Sequence, residues 1–192
     1  MSKPTATIVL CEDKLTESLL RSHLKSRGID PRNVRFVVSP GGRGAGERFV
    51  IRQFPVQVDA YRISIARKLT WLIAVVDADT GTVEAHIAEL DASLRDCGDE
   101  RLRDLRIEDE RIARLVPRRN IETWLLVLNG IAADEDKDYK HSRPKDDWYP
   151  LATSGGTQLY QWTRPNTQIS SLCVESLHRG IRELRRIEAL SR

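Results

Sequence analysis

The chain has few of the residues that staple, anchor or repeat a fold. Its 192 residues include three cysteines, Cys11, Cys97 and Cys173. An odd number at wide spacing excludes a disulfide framework and a zinc knuckle. Cys11 lies inside an apolar run and reads as a small core residue. No apolar run approaches the ~20 residues that span a bilayer. The N-terminal MSKPTATIVLCEDK meets a charge at Glu12 before its apolar stretch is long enough for a signal peptide, so a cytoplasmic location is expected. His23, His86, His141 and His178 show neither HxxxH nor HxH spacing, which argues against a histidine metal site. GxGxxG, GK[ST] and GxSxG are missing, and there is no internal repeat.

What is present suits one α/β domain over residues 1–192. The chain is 40% hydrophobic and 31% charged, enough apolar residues for a core and too many for a disordered chain. The net charge of +3 says little about partners, whereas local clustering says more. Eight arginines fall between Arg95 and Arg119, and the C-terminal helix adds Arg179, Arg182, Arg185, Arg186 and Arg192. The planar guanidinium suits phosphate. Asp104, Glu108, Asp109 and Glu110 interleave with the first cluster, so a solvated helix face is the preferred reading of it, and more so of the second.

Residues 5–10 read as a first strand and residues 14–27 as a helix with Leu15, Leu19, Leu20 and Leu24 on one face. Residues 33–39 read as a second strand, followed by a glycine-rich stretch that reads first as a mobile loop between elements and, as the alternative, as a loop whose Arg43, with Arg48 beyond it, approaches a phosphate backbone. A helix over 57–69 and one beginning at the Thr82 cap flank a third strand. Residues 111–116 read as a fourth strand, and 120–129 as a helix with Asn120 at its cap. Residues 131–157 are polar and read as an exposed insertion or lid, with Ser154-Gly155-Gly156-Thr157 continuing the loop. A final helix covers about 170–190. The alternation of strand and helix predicts a mostly parallel central sheet flanked by helices, a Rossmann-like plan.

The stretch that organises this plan is WLIAVVDADTG, residues 71–81. Five apolar residues, Leu72 to Val76, read as a buried parallel strand. Strand alternation sends Asp77 and Asp79 to one side, at the carboxyl end where open α/β sheets build their sites. Two carboxylates about 5 Å apart repel by roughly 3 kcal/mol at an effective dielectric of 20. A divalent cation with a taste for hard oxygen ligands, Mg2+ or Mn2+, reverses that sign. Glu12 ends the first strand in the same way, and Glu122 lies in the first turn of a helix, where its charge also suits the dipole.

A glutamate after strand one followed by DxD after strand three resembles the TOPRIM fold of topoisomerases, bacterial primases and OLD-family nucleases. Asn120-Ile121-Glu122-Thr123-Trp124-Leu125-Leu126, after Pro117, is similar to a segment of small stand-alone TOPRIM-like proteins of bacterial defence loci. The resemblance covers about residues 5–130. Glu12 is followed by Asp13 where the family usually has glycine, and Glu17 is the later acid. The resemblance implies a Mg2+- or Mn2+-dependent nuclease acting on DNA or RNA, an antiviral effector that works with an ATPase partner protein and has room for a homodimeric state. Glu12, Asp77 and Asp79 would be catalytic, Glu122 would join them as a metal ligand and Glu17 would orient the site. Arg43, Arg48, Arg118 and Arg119 would position phosphate. Two other readings stay open: a non-catalytic module binding nucleic acid or a partner protein, and a haloacid-dehalogenase-type phosphatase. The DxDxT motif of the latter is only partly matched by Asp77-Ala-Asp79-Thr80-Gly81-Thr82.

Overall fold

Period-two alternation gives the sheet two apolar faces, and helices cover both. The structure, a computed structural model, describes residues 6–40 and 46–191. Among them β1 (Ala6–Cys11), β2 (Val34–Val38), β3 (Thr70–Val75) and β4 (Ile112–Leu115) form one all-parallel sheet in the order β2-β1-β3-β4. Every crossover carries a helix: α1 (Lys14–Ser26), α2 (Gly46–Ile65), and α3 (Val83–Asp96) with the short α4 (Glu100–Arg103). Beyond β4 come α5 (Ile121–Leu128), α6 (Trp148–Thr163) and α7 (Glu175–Ala189). The expected α/β plan is met, and the sheet is wholly rather than mostly parallel.

Ile8, Leu10, Leu72 and Ala74 pack on one side with Val50, Phe54 and Val58 of α2 and Leu90 of α3. Val9, Cys11, Ile73 and Val75 pack on the other with Leu19 of α1, Trp124 of α5, Leu159 of α6 and Leu177 of α7. Cys11 is buried and free, as its apolar setting predicts, and burial pushes its thiol pKa well up. Among the described residues no helix is long and apolar enough to cross a membrane.

The strand order decides where a site can form. The chain begins in the middle of the sheet, winds outward through α1 to β2, then returns past β1 to β3. The winding direction therefore switches between β1 and β3, which are hydrogen-bonded neighbours. Their carboxyl ends, Cys11-Glu12 and Val75-Val76-Asp77, open side by side at the place where open α/β sheets hold ligands.

Two expectations from the sequence are corrected. The second helix begins at Gly46, not at residue 57, and runs through Pro55. An interior proline costs about 3 kcal/mol, and here Val50, Phe54, Pro55, Val58 and Tyr61 are buried together and outweigh it. Ser154-Gly155-Gly156-Thr157 is not loop but the middle of α6. The glycines read as breakers, whereas they let two helices touch. A methyl group on Gly156 would fall 2.3 Å from the Leu19 carbonyl oxygen and 2.6 Å from Ser22 Cβ of α1. The Ser22 hydroxyl donates to the Thr153 carbonyl across the same contact. The polar segment before α6 lacks long elements, with one 3-10 turn at Lys145–Asp147.

Candidate active site

Three carboxylates from three elements lie near one another at the carboxyl edge of the sheet, close enough for the charges of Glu12 and Glu122 to act on Asp77. Glu12 follows β1, Asp77 follows β3, and Glu122 sits in the first turn of α5. Glu12 Oε1 accepts the Asp77 amide N–H at 2.7 Å, which ties the ends of the two neighbouring strands together. The start of α2 closes over the same carboxylate. A Cβ on Gly46 would lie 2.6 Å from Glu12 Oε2 and 3.0 Å from Glu12 Cβ, so a larger residue there would push the Glu12 side chain from its position. Asp13 does not enter the helix. It caps α1, its side chain accepting from the Thr16 amide at 2.8 Å.

Burial raises the proton affinity of these acids. Asp77 and Glu122 are each 5% exposed. Desolvation first, then the like charges of Glu12, Asp13 and Glu122, push Asp77 well above the usual carboxylate range. Desolvation raises Glu12 to about 7; the Asp77 amide opposes this, and Asp79 and Asp13 add to it. Desolvation likewise raises Glu122 to about 7, and its Oε2 is buried with no hydrogen-bond partner among the described residues. Burying charge without partners costs several kcal/mol per ion, so an orphaned carboxylate oxygen inside a cluster of acids is a place made for a cation or a proton.

The sequence gives no sign of Lys140, a cation among the described residues whose charge acts on the cluster. Burial would lower Lys140, but Asp77, Asp79, Glu122 and Glu12 together raise its affinity for a proton. Lys140 arrives on the polar segment, which is strapped down ahead of α5. Asn120 Nδ2 donates to Asp138 Oδ1 at 2.8 Å, the Lys140 amide donates to the same oxygen at 2.8 Å, and Arg118 pairs with Asp136 at 2.9 Å. Asn120 thus stands at the N-cap of α5, as expected, but spends its side chain on this strap rather than on the cap. No local signal in KDYKHSRPK singles out Lys140, because its partners are over sixty residues away or on other elements.

The remaining candidates fall into different places. Asp79 does not share a side with Asp77 by strand alternation. β3 ends at Val75, and Asp79 is an exposed residue in the left-handed region, φ 44°. Its charge still reaches Glu12 and Lys140. Arg118 and Arg119 shape this turn. Arg119 Nη1 donates to the Asp79 carbonyl at 3.0 Å and Arg118 Nη1 to the Gly81 carbonyl at 2.6 Å. The amides of Ala78 and Asp79 donate back to Pro117 and Arg119, so the turn is held from both directions. Arg48 is exposed on α2 and lines a groove with Arg52, Ser93 and Cys97. Arg43 lies outside the described residues. Glu17 is occupied by Lys14 and Arg21 on the surface of α1.

Comparison with protein-family models, with curated proteins and with solved structures finds no match for this chain. The functional reading therefore rests on the site itself.

Proposed function

We propose that this chain is a TOPRIM-like, divalent-metal-dependent nuclease that hydrolyses phosphodiester bonds. The observation that carries the reading is the burial of Asp77 and Glu122 beside the half-buried Glu12 at the carboxyl edge of β1 and β3, with Glu122 Oε2 unpartnered among the described residues. A fold gains nothing from that grouping unless a ligand repays it.

The donor chemistry suits the implied metal, and because the oxygens of these three acids do not gather within 4.8 Å of one another, binding would have to draw them together. All candidate ligand atoms are carboxylate oxygens, the hard donors that Mg2+ and Mn2+ prefer. Glu12, Asp77 and Glu122 would hold the ion, with the exposed Asp79 beside them. Such an ion supplies charge neutralisation at the phosphoryl group and an acidified water. The chain's own part is proton handling and positioning. Glu12, with its pKa near 7 and Oε1 fixed by the Asp77 amide, accepts or returns a proton at neutral pH through Oε2. Lys140 offers a cation to negative charge that develops on the substrate. Arg118 and Arg119 hold the Asp79–Gly81 turn in shape and bring positive charge to the rim, where it positions a phosphate backbone. The same reading makes the protein an antiviral effector whose action is licensed by an ATPase partner.

The test is cleavage of supercoiled plasmid and of structured RNA in Mg2+ or Mn2+. Wild type is expected to cut one of them and to be silenced by EDTA. Asp77→Asn is expected to lose at least a thousandfold in rate while melting no lower than wild type. Cleavage that survives Asp77→Asn, or that persists in EDTA, overturns the assignment.

A further inference from the structure

We propose that Glu47, His86 and Glu89 form a second divalent-cation site, distinct from the carboxylate cluster and selective for metals that accept an imidazole. One donor atom from each residue lies within 4.8 Å of the other two. His86 and Glu89 are three apart on α3 and so share a face. Glu47 comes from the first turn of α2, on the opposite wall.

The tautomer of His86 carries the argument. The ring is buried, 5% exposed. Its Nδ1 lies 3.0 Å from the Thr82 carbonyl oxygen. A carbonyl only accepts, so Nδ1 bears the proton. In a neutral ring Nε2 is then a bare lone pair, and it points at Glu47 Oε1, another acceptor, at 3.1 Å. Two acceptors face each other only with a proton shared between them, as in the His86–Glu47 pair itself, or with a metal in its place. A lone proton leaves two carboxylates on one imidazolium, a net charge of −1. A divalent cation brings the group to neutrality. An imidazole anchored through Nδ1–H to a backbone carbonyl, with Nε2 turned inward, is the arrangement that supports metal ligation.

Neighbouring residues make room for this geometry. A Cβ on Gly81 would fall 2.5 Å from His86 Cε1, so glycine lets the ring seat against the turn that follows Asp79. Thr82 both caps α3 through Ala85 and supplies the carbonyl that sets the tautomer. Glu89 is exposed and Glu47 half-buried, so both carboxylates have the freedom to close to the about 3.4 Å ligand spacing that two bonds of about 2.1 Å require. The donor set, one nitrogen and two carboxylates, suits Zn2+ or Co2+ and disfavours Mg2+. The two sites therefore choose different ions, and this one does not depend on the nuclease reading.

Cobalt(II) is the probe, because its visible absorption reports coordination by protein ligands and Zn2+ displaces it. Wild type and Asp77→Asn are both expected to take up one equivalent with a visible band that Zn2+ abolishes. Glu89→Gln, a substitution at an exposed position that leaves folding alone, is expected to weaken Co2+ binding at least tenfold. His86→Gln is expected to abolish the band. If His86→Gln fails to fold by circular dichroism, Glu89→Gln decides. Absence of a band in wild type overturns the site. A band that disappears in Asp77→Asn but survives in Glu89→Gln belongs to the carboxylate cluster, and it too overturns the site.

Discussion

Charge is buried at two ends of this molecule, and the chain treats it oppositely. At the amino-terminal side of the sheet Arg27 and Glu188 are nearly buried and pair at 2.5 Å, and the Arg27 guanidinium also lies 4.8 Å over the Trp71 ring. Trp71 Nε1 in turn donates to Ser191 just beyond α7 at 2.8 Å. Arg114 in β4 is likewise answered by Asp91 and Glu108. At the carboxyl edge, Asp77 and Glu122 are buried beside the half-buried Glu12, and the charge of Lys140 acts on all three. The first arrangement ties a terminal helix to the sheet. The second stores repulsion in a place that a ligand can relieve. The contrast separates charge that is answered by a partner across the fold from acids gathered with like charges.

The largest expected effect breaks the structural pair. Arg27→Ala leaves Glu188 buried without its partner and should cost about 3–5 kcal/mol, a fall in melting temperature on the order of 10 °C. Arg27→Met combined with Glu188→Leu, apolar on both sides, should recover most of that loss. A single variant that melts with wild type would mean that the α7 clamp carries no weight.

A pH series sharpens the other side of the comparison. Glu12 and Glu122 are raised from 4.5 to about 7. Their contribution to stability is therefore fully present below about pH 4.5 and is lost as pH rises through 7. His23, fully buried and lowered to about 3, works in the opposite sense, losing stability as pH falls below 6.5. The clean readout is thus the difference between wild type and the Glu12→Gln, Glu122→Gln double variant in EDTA. Wild type should lose stability relative to the double variant between pH 5 and 7.5, and Mn2+ should cancel that loss. Parallel profiles would mean that the two acids are not held protonated.

The smallest effect is at the rim. Arg118→Ala with Arg119→Ala removes a half-exposed ion pair and two carbonyl contacts, and should cost about 1 kcal/mol of stability. It should also lower nucleic-acid affinity and reduce the slope of log K against log salt by about two. An unchanged slope would restrict both arginines to holding the turn.

Much of the fold was legible because it is written in local periodicity. Leu15, Leu19, Leu20 and Leu24 announce α1, and the apolar run before Asp77 announces β3. The elements misread were those where a local breaker is overruled by packing, Pro55 within α2 and Gly155-Gly156 within α6. The site was legible only as far as its residues sit at the ends of elements. Glu12, Asp77 and Glu122 do, whereas the placement of Asp79 failed because strand alternation lapses once β3 ends.

By itself, then, the sequence determined that strands and helices alternate, that the third strand is wholly buried, and that acids follow the first and third strands. Only the tertiary structure decided that β1 and β3 are neighbours, that the charge of Lys140 acts on the cluster, and that His86 finds Glu47 rather than another histidine. The physical reason is range. Periodicity and capping act over a few residues and leave a mark in spacing. Strand order and the meeting of side chains from different elements are set by how two apolar faces are buried at once, and that leaves no mark in any one stretch of chain.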